Sequence, residues 1–297
     1  MAETRRQDYL DPAVLQELGS LKIRARQLAE GVIAGLHRSP HQGGSVEFSE
    51  YIEYSQGHEL RHVDWKVFGK SDKYYVKQYE DETNLQTFLL VDGSGSMNFR
   101  GEGAPWSKLD YGTHLAATLA YLFLRQGDAV GAMGFAETTG TFLPAASRTR
   151  HLDDLFFLLE SLKGEGTTAL DEALHTIAER ARRRSLILIF SDLLDASEAT
   201  FERLRVLRSR KFDVCLFHLV DDAEWTLPFE GLTIFEGLED DGELLVDPDD
   251  LRERYQKAIR GHADRIKEEC EKANISYLRV FTSTPMEEVC LDFLRRR

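Results

Sequence analysis

The sequence predicts an α/β fold in which a doubly wound, mostly parallel sheet is flanked by helices. From residue 84 onward, apolar strand patterns alternate with helical patterns, the order that builds parallel sheets. The predicted strands are mostly apolar along their length, as expected when helices cover both faces. We therefore place an α/β domain in residues 84–297 and an N-terminal helical and β elaboration in residues 1–83.

The N-terminal elaboration is expected to begin with a helix. Asp11 and Pro12 are typical of a helix start, as the capping residue and the first-turn proline. A polar, aromatic-rich stretch then extends to about residue 83, with a predicted strand at Tyr74–Tyr79 and no clear core of its own. Apolar residues of the predicted helix recur at helical spacing before the break at residues 39–44: Val14, Leu18, Leu21, Ala25, Leu28 and Val32.

The α/β domain is predicted to contain five main strands and six helices. The strands are Leu85–Val91, Ala129–Phe135, Ser185–Phe190, Phe212–Leu219 and Ile275–Phe281, with a hairpin partner near Thr141–Leu143. One helix is capped by Ser107 and Asp110, and another opens at Thr168. The remaining helices are His151–Leu162, Ser197–Arg210, Asp250–Ala273 and Pro285–Arg297. Asp240-Asp241-Gly242 predicts a turn between Leu232–Leu238 and Glu243–Val246.

Composition narrows the classes of protein to which the chain belongs. A net charge of -14 disfavours nucleic acid and other phosphate-rich partners. The three scattered cysteines and the absence of a CxxC pair indicate reduced thiols, which is typical of the cytoplasm. No apolar run is long enough for a membrane span, and the first residues do not form a signal peptide. We therefore expect a soluble, cytoplasmic protein that does not insert into membranes.

One group of oxygen-bearing residues predicts a metal site. Asp92 is expected directly after the first strand of the domain, and Ser94 and Ser96 follow it at spacings of two. Asp192 is expected at the matching place after a later strand, and Thr168 lies in a Gly-rich loop at the start of a helix. In doubly wound sheets, ligands bind outside the carboxyl ends of the strands, so these side chains are expected to converge.

Carboxylate and hydroxyl oxygens without histidine or cysteine favour Mg²⁺, with Mn²⁺ and Ca²⁺ as alternatives, over zinc. Each residue also has an ordinary structural explanation. Asp92 and Asp192 are typical turn residues, and Thr168 is a typical helix cap. Only their joint placement points to a cation, and Thr167 remains the neighbouring alternative to Thr168.

The run from Asp92 to Ser96 resembles the Asp-x-Ser-x-Ser element of a von Willebrand factor A-like domain with a metal-ion-dependent adhesion site. In that resemblance, Thr168 matches the threonine of the site and Asp192 matches its later aspartate. The resemblance implies protein binding through the metal, with a carboxylate of the partner completing the coordination. It also implies that the protein is not an enzyme.

The segment before this motif resembles the bacterial family known as domain of unknown function fifty-eight, over roughly residues 40–195. Two positions depart from the family pattern, Ile52 where an arginine is usual and His58 where an acid is usual. The resemblance implies association with a MoxR-type AAA+ ATPase or its client, as an adaptor or chaperone-like partner. The residues that carry it are Glu47-Phe48, Tyr54, Gly57, Arg61, Val63-Asp64-Trp65, Tyr75-Val76-Lys77, Glu80 and Glu82.

A different function is suggested by the run from His58 to His62, which matches the HExxH pattern of zinc peptidases. That chemistry needs two imidazoles one helical turn apart, with Glu59 as the base. Gly57 and Gly69 leave little room for the long helix that the pattern requires, and no third ligand stands out. A zinc metallopeptidase is therefore the alternative function, and a scaffold with an empty relict site is the third.

Overall fold

The computed structural model of the chain describes residues 20–38, 51–53, 75–77, 85–137, 139–239 and 242–296. Its contacts divide the chain into two compact units. One unit contains the described residues 20–37 and 85–296, and the other spans residues 38–84. The metal-site residues predicted from the sequence all lie in the first unit.

The described part of the smaller unit consists of two short strands. Strands β1 (Tyr51–Glu53) and β2 (Tyr75–Lys77) pair in antiparallel register, with Ile52 opposite Val76. The strand predicted at Tyr74–Tyr79 is thus confirmed over its described residues, whereas β1 was not predicted.

The larger unit contains eight helices and eight strands among its described residues. Helix α1 (Leu21–Arg38) precedes the others in the chain. The strands are β3 (Gln86–Asp92), β4 (Ala129–Phe135), β5 (Thr139–Ala146), β6 (Leu186–Ser191), β7 (Asp213–Val220), β8 (Thr233–Glu236), β9 (Glu243–Val246) and β10 (Ser276–Phe281). The other helices are α2 (Lys108–Arg125), α3 (His151–Glu160), α4 (Leu170–Arg180), α5 (Glu198–Ser209), α6 (Asp222–Thr226), α7 (Pro248–Lys272) and α8 (Met286–Arg296).

The central sheet has six strands in the order β10-β7-β6-β3-β4-β5. Five are parallel, and β5 pairs in antiparallel register with β4 at the edge. After β3, the chain adds β4 and then β5 on one side of β3, and it then returns to add β6 on the other side. The strand order therefore reverses between β3 and β6, and this position is the topological switch point of the sheet.

Helices cover both faces of the sheet, which confirms the predicted α/β class. Alternate side chains of β3 point to opposite faces, with Leu89 in one buried cluster and Phe88 in the other. The first cluster contains residues of α1, α2, α3 and α8, and the second contains residues of α4, α5 and α7. This covering explains why the strands are apolar along their whole length.

Most predicted elements are confirmed to within a few residues, two details were wrong, and one helix was missed. Asp92 is the last residue of β3 rather than the first residue beyond it. Helix α4 begins at Leu170, so Thr168 precedes the helix and does not cap it. The short helix α6 was not predicted, although Asp221 and Glu224 form a capping box there.

Within the larger unit, helix α1 packs through one apolar face. Leu21, Ala25, Leu28 and Val32 are buried in the cluster that also holds residues of α2 and α8. The predicted helical spacing is therefore confirmed for the described residues, while Asp11 and Pro12 lie outside them. The division of the chain at residues 83 and 84 stays a prediction, and by its contacts α1 groups with the sheet.

The three cysteines, Cys215, Cys270 and Cys290, are buried and do not form disulfides. Burial raises the pKa of each of these thiols, which keeps them protonated and unreactive at neutral pH. Among the helices that the structure describes, none combines the length and apolar composition needed to cross a bilayer.

A buried histidine in α2 should make stability depend on pH. The Nδ1 atom of His114 donates to the carbonyl oxygen of Asp110 (2.6 Å), while its Nε2 atom is buried without a hydrogen-bond partner. Burial lowers the pKa of His114 to about 4, against a hydrogen bond to Asp110, with the charge of Arg24 also lowering it. As the pH falls below about 6.5, the imidazole of His114 is therefore protonated in the unfolded chain before it is protonated in the folded protein, and the folded protein loses stability.

We expect His114→Phe to reduce the acid sensitivity of folding. Between pH 7 and pH 5 the His114 contribution should cost the wild type about 2 kcal/mol of unfolding free energy. Urea unfolding at the two pH values measures this loss in both proteins. An equal loss in the variant would show that His114 is not the group that titrates.

Candidate metal centre

Asp92 and Asp192 lie side by side at the carboxyl edge of the sheet. Asp92 ends β3, and Asp192 follows the last residue of β6, the strand that pairs in parallel with β3. Both side chains are buried. The two carboxylates therefore flank the topological switch point, the place where doubly wound folds bind ligands.

The Asp92 carboxylate accepts three hydrogen bonds. Its Oδ1 atom accepts from the backbone N–H of Ser94 at 3.0 Å. Its Oδ2 atom accepts from the hydroxyls of Thr168 at 3.0 Å and Ser191 at 2.6 Å. Thr168 thus reaches Asp92 across 76 residues of sequence, whereas the neighbouring Thr167 is exposed. The geometry favours Thr168 over Thr167 as the threonine of the site.

The two serines of the motif face each other. The Oγ atoms of Ser94 and Ser96 are 3.2 Å apart, and Ser94 is fully buried at the start of a single 3₁₀ turn, Gly95–Asn98. The Ser96 side chain also acts to lower the pKa of Asp192. The five predicted residues therefore form one connected cluster of oxygen atoms.

Backbone contacts fix the loop that carries Thr168 against the loop that carries the serines. The N–H of Gly95 donates to the carbonyl oxygen of Gly166 (2.8 Å), and the N–H of Glu165 donates to that of Gly93 (3.0 Å). The side chain of Asn98 adds a bond to the carbonyl of Gly164. These bonds hold the two loops together, so the backbone fixes the position of Thr168 beside Asp92.

Asp92 lies in surroundings that disfavour its negative charge. Burial, together with the negative charge of Asp192, raises the pKa of Asp92 to about 6, against the hydrogen bonds from Ser191 and Ser94. A buried carboxylate beside a second carboxylate is stabilised by a cation. The donor set is all oxygen, which suits a hard divalent cation such as Mg²⁺.

Lys108 is an unpredicted member of the site. Its side chain is 0% exposed, and its Nζ atom contacts Asp192 at 2.8 Å and Glu224 at 2.5 Å. Burial acts to lower the pKa of Lys108, but the charges of the two carboxylates outweigh it and raise the pKa. Burial acts to raise the pKa of Asp192, but the charge of Lys108 and the hydrogen bonds to the carboxylate together outweigh it and lower the pKa. Asp192 is therefore held ionised.

Sequence reasoning also missed Ser191, Glu224 and Glu239. Ser191 is the last residue of the apolar strand β6, where a serine before Asp192 gives no sign of contact with Asp92. Glu224 is identifiable through the capping pattern that it forms with Asp221. Glu239 accepts a hydrogen bond from the backbone N–H of Ser96 (3.1 Å), although 143 residues separate the two.

The alternative zinc hypothesis rests on His58, Glu59 and His62, which lie outside the described residues, as does most of the family signature. Within the described residues, no group of three or more His, Cys, Asp or Glu side chains is arranged to hold a metal. The candidate centre thus depends on serine and threonine hydroxyls as well as two carboxylates.

The fold and the cluster together define an α/β protein with a carboxylate-and-hydroxyl centre at the switch point of its sheet. The chain belongs to the family described as "Protein of unknown function DUF58", whose model matches residues 50–265. The family resemblance inferred from the motifs is thereby confirmed.

Comparison with known proteins finds uncharacterized relatives. The chain is 26% identical over 266 residues to the uncharacterized protein Rv1480 of Mycobacterium tuberculosis, covering 86% of this chain and 81% of that protein. The uncharacterized protein Mb1516 of Mycobacterium bovis matches to the same extent.

Similar solved structures include the conserved hypothetical protein BatB of Bacteroides thetaiotaomicron. It has 17% identity and a TM-score of 0.48, and the match covers 71% of this chain and 98% of that one. The VWA domain of SpRpn10 has 11% identity and a TM-score of 0.40, with 72% of this chain and 95% of that one covered.

Proposed function

We propose that this protein is a metal-dependent protein-binding module and not an enzyme. Asp92, Ser94, Ser96, Thr168 and Asp192 hold Mg²⁺, or Mn²⁺ or Ca²⁺ in its place, some directly and some through water. The observation that carries the proposal is the convergence of these side chains at the switch point of the sheet, where Thr168 hydrogen-bonds to Asp92, the hydroxyls of Ser94 and Ser96 lie 3.2 Å apart, and Asp192 lies close enough for its charge to act on Asp92.

The bound cation supplies a positive charge that attracts a carboxylate of the partner protein. About six ligands surround Mg²⁺, and this ion commonly retains waters, so five side chains leave room for an incoming group. Asp92 contributes the charge, and the hydroxyls of Ser94, Ser96 and Thr168 contribute neutral oxygens. Lys108 keeps Asp192 ionised and fixed in direction.

The partner that we propose is a MoxR-type AAA+ ATPase or the client of that ATPase. The family resemblance is the ground for this choice. The net charge of -14 restricts the mode of binding, since a surface so acidic attracts another acidic protein poorly without a bridging cation. A metal-bridged carboxylate is therefore a contact that such a surface can make.

The experiment is a binding assay between this protein and a purified MoxR-type ATPase, in Mg²⁺ and in EDTA. We expect binding in Mg²⁺ that is lost in EDTA and in Asp92→Asn. The matched control is Asp195→Asn, which removes an exposed carboxylate three residues after Asp192 and should leave binding unchanged. Binding that is unaffected by EDTA and by Asp92→Asn would refute metal-dependent recognition.

A second candidate is a scaffold that works without a cation. The observation that favours it is the buried contact between Lys108 and Asp192, because this lysine already neutralises one carboxylate of the centre. The same assay separates the two functions, since a scaffold of this kind binds its partner equally well in Mg²⁺ and in EDTA.

A further inference from the structure

Two arginines lie over the ring of Trp225 at the carboxyl edge of the sheet. Trp225 belongs to the short helix α6, Arg260 to α7 and Arg279 to the edge strand β10. The guanidinium carbons of Arg260 and Arg279 are 5.8 Å and 4.6 Å from the centre of the ring. Phe281, the last residue of β10, packs edge-on against the same ring at 5.7 Å. We call Trp225, Arg260 and Arg279 the arginine–tryptophan cluster.

The two arginines of the cluster carry charge that is not paired with a carboxylate. Both are exposed, and within the part of the chain that the structure describes neither forms an ion pair or a hydrogen bond. Stacking on an aromatic ring orients a guanidinium but leaves its N–H groups available for a carboxylate. In a chain of net charge -14, two such cations on one ring mark a place where an acidic ligand can bind.

The charge of Arg260 is not needed to hold α6 against α7. Arg252, Gln256 and Arg260 follow one another at intervals of four residues along α7, and therefore share one face of the helix. Arg252 donates to the carbonyl oxygen of Leu227 at 3.0 Å, and Gln256 donates to that of Thr226 at 2.6 Å. These two side chains already bind the end of α6, whereas Arg260 covers the indole ring and keeps its N–H groups for another partner.

The cluster is connected to the candidate metal centre from two sides. Glu224, the residue before the tryptophan, contacts Lys108, which in turn contacts Asp192. On α7, the Nε2 atom of His262 donates to the carbonyl oxygen of Leu193 at 2.9 Å, and Leu193 directly follows Asp192. Both α6 and α7 are thus held to the segment that carries Asp192. The cluster therefore borders the surface at which the proposed metal meets a partner protein.

The chemistry of the cluster favours an acidic protein segment as its ligand. Tryptophan and arginine are the side chains that most often dominate the binding energy at protein interfaces. Guanidinium groups that are already stacked on a ring lose less freedom when they bind than unsupported ones do. A nucleic acid fits less well, because its continuous phosphate charge is repelled by a protein of net charge -14.

We propose that the arginine–tryptophan cluster binds carboxylates of an acidic segment of the partner protein, beside the carboxylate that the metal binds. This inference deepens the proposed function and rests on it for the identity of the partner. The contact itself does not require the metal, since both arginines are charged in the metal-free protein. The partner is therefore recognised by clustered Asp and Glu side chains and not by one carboxylate alone.

The test measures the binding of a short, fluorescein-labelled peptide of alternating glutamate and glycine by fluorescence anisotropy, in EDTA and in Mg²⁺. The variants are Arg260→Gln, Arg279→Gln and the two combined. The matched control is Arg254→Gln, which removes the same charge from an exposed position of α7 outside the cluster. A peptide with glutamine in place of glutamate and a single-stranded DNA of equal charge are the control ligands.

In EDTA and at low salt, we expect each cluster variant to bind the glutamate peptide about three- to fivefold more weakly, as is usual for the loss of one exposed charge pair. The combined variant should lose more than either alone, and Arg254→Gln should match the wild type. The glutamine peptide should not bind. Added salt should weaken binding to the wild type, because the contact is exposed to solvent.

The inference would be overturned if the wild type did not bind the peptide, or if the cluster variants bound it as well as Arg254→Gln does. Tighter binding of the DNA than of the peptide would also overturn it, since the ligand would then be a nucleic acid.

Failure of the inference and failure of the proposed function give different results. Peptide binding that requires Mg²⁺ and is unchanged in Arg260→Gln and Arg279→Gln would refute the cluster and leave the metal-dependent function in place. Binding in EDTA that is lost in these variants and is not strengthened by Mg²⁺ would support the cluster and count against the metal.

Discussion

Lys108→Met should destabilise the protein by about 3–5 kcal/mol, the usual cost of removing one partner from a buried ion pair. The substitution keeps the length of the side chain and removes its charge. Asp192, with a side chain 4% exposed, would then carry a buried charge without a cation, and Glu224 would lose the same partner. Urea denaturation at pH 7 and low Mg²⁺ measures the change.

The matched control for this prediction is Lys22→Met. Lys22 also pairs with an aspartate, Asp153, but both side chains are more than half exposed. Exposed ion pairs contribute about 0–1 kcal/mol, so this variant should remain close to the wild type. If Lys108→Met were as mild as Lys22→Met, the buried pair would have no major role in holding Asp192.

Asp92→Ala and Asp92→Asn should differ in stability although both remove the same charge. Alanine leaves the Ser94 N–H and the hydroxyls of Thr168 and Ser191 without their acceptor. A buried donor left unsatisfied costs about 1–3 kcal/mol, so we expect a loss of at least about 2 kcal/mol. Asparagine retains an oxygen for Ser94, and the two hydroxyls can accept from its amide.

Asparagine also removes the repulsion between Asp92 and Asp192 that, after burial, raises the pKa of Asp92 to about 6. We therefore expect Asp92→Asn to equal or exceed the metal-free wild type in stability. Thermal and urea unfolding in EDTA measure the order of the three proteins. A metal-free Asp92→Asn protein as unstable as Asp92→Ala would show that the charge of Asp92, and not its hydrogen bonds, stabilises the fold.

The fold was largely predictable because its strands are covered on both faces. Apolar runs such as Ala129–Phe135 have to be buried, and their alternation with helical patterns leaves few topologies. Helix α6 was missed because five residues are too few to show a helical period. The shift of Asp92 into β3 reflects its pairing with Phe135, which depends on the neighbouring strand and not on local sequence.

The candidate site was only partly predictable. Asp92 and Asp192 stood out because polar residues end buried strands at the same edge of the sheet. Lys108 did not stand out in the sequence, because a lysine in the first turn of a helix normally faces water. Only the tertiary fold buries it. Glu239 reaches the site through a hairpin that pairs locally, so its approach to Ser96 has no signature in either segment.

The central claim is that Asp92, Ser94, Ser96, Thr168 and Asp192 bind a divalent cation. The most direct measurement is calorimetric titration of the metal-free protein with Mg²⁺, Mn²⁺, Ca²⁺ and Zn²⁺, with Asp92→Asn in parallel. We predict one site for Mg²⁺ or Mn²⁺ in the wild type and its loss in the variant. Binding of Zn²⁺ alone, unchanged in Asp92→Asn, would contradict the account and direct attention to His58 and His62, and no binding at all would also contradict it.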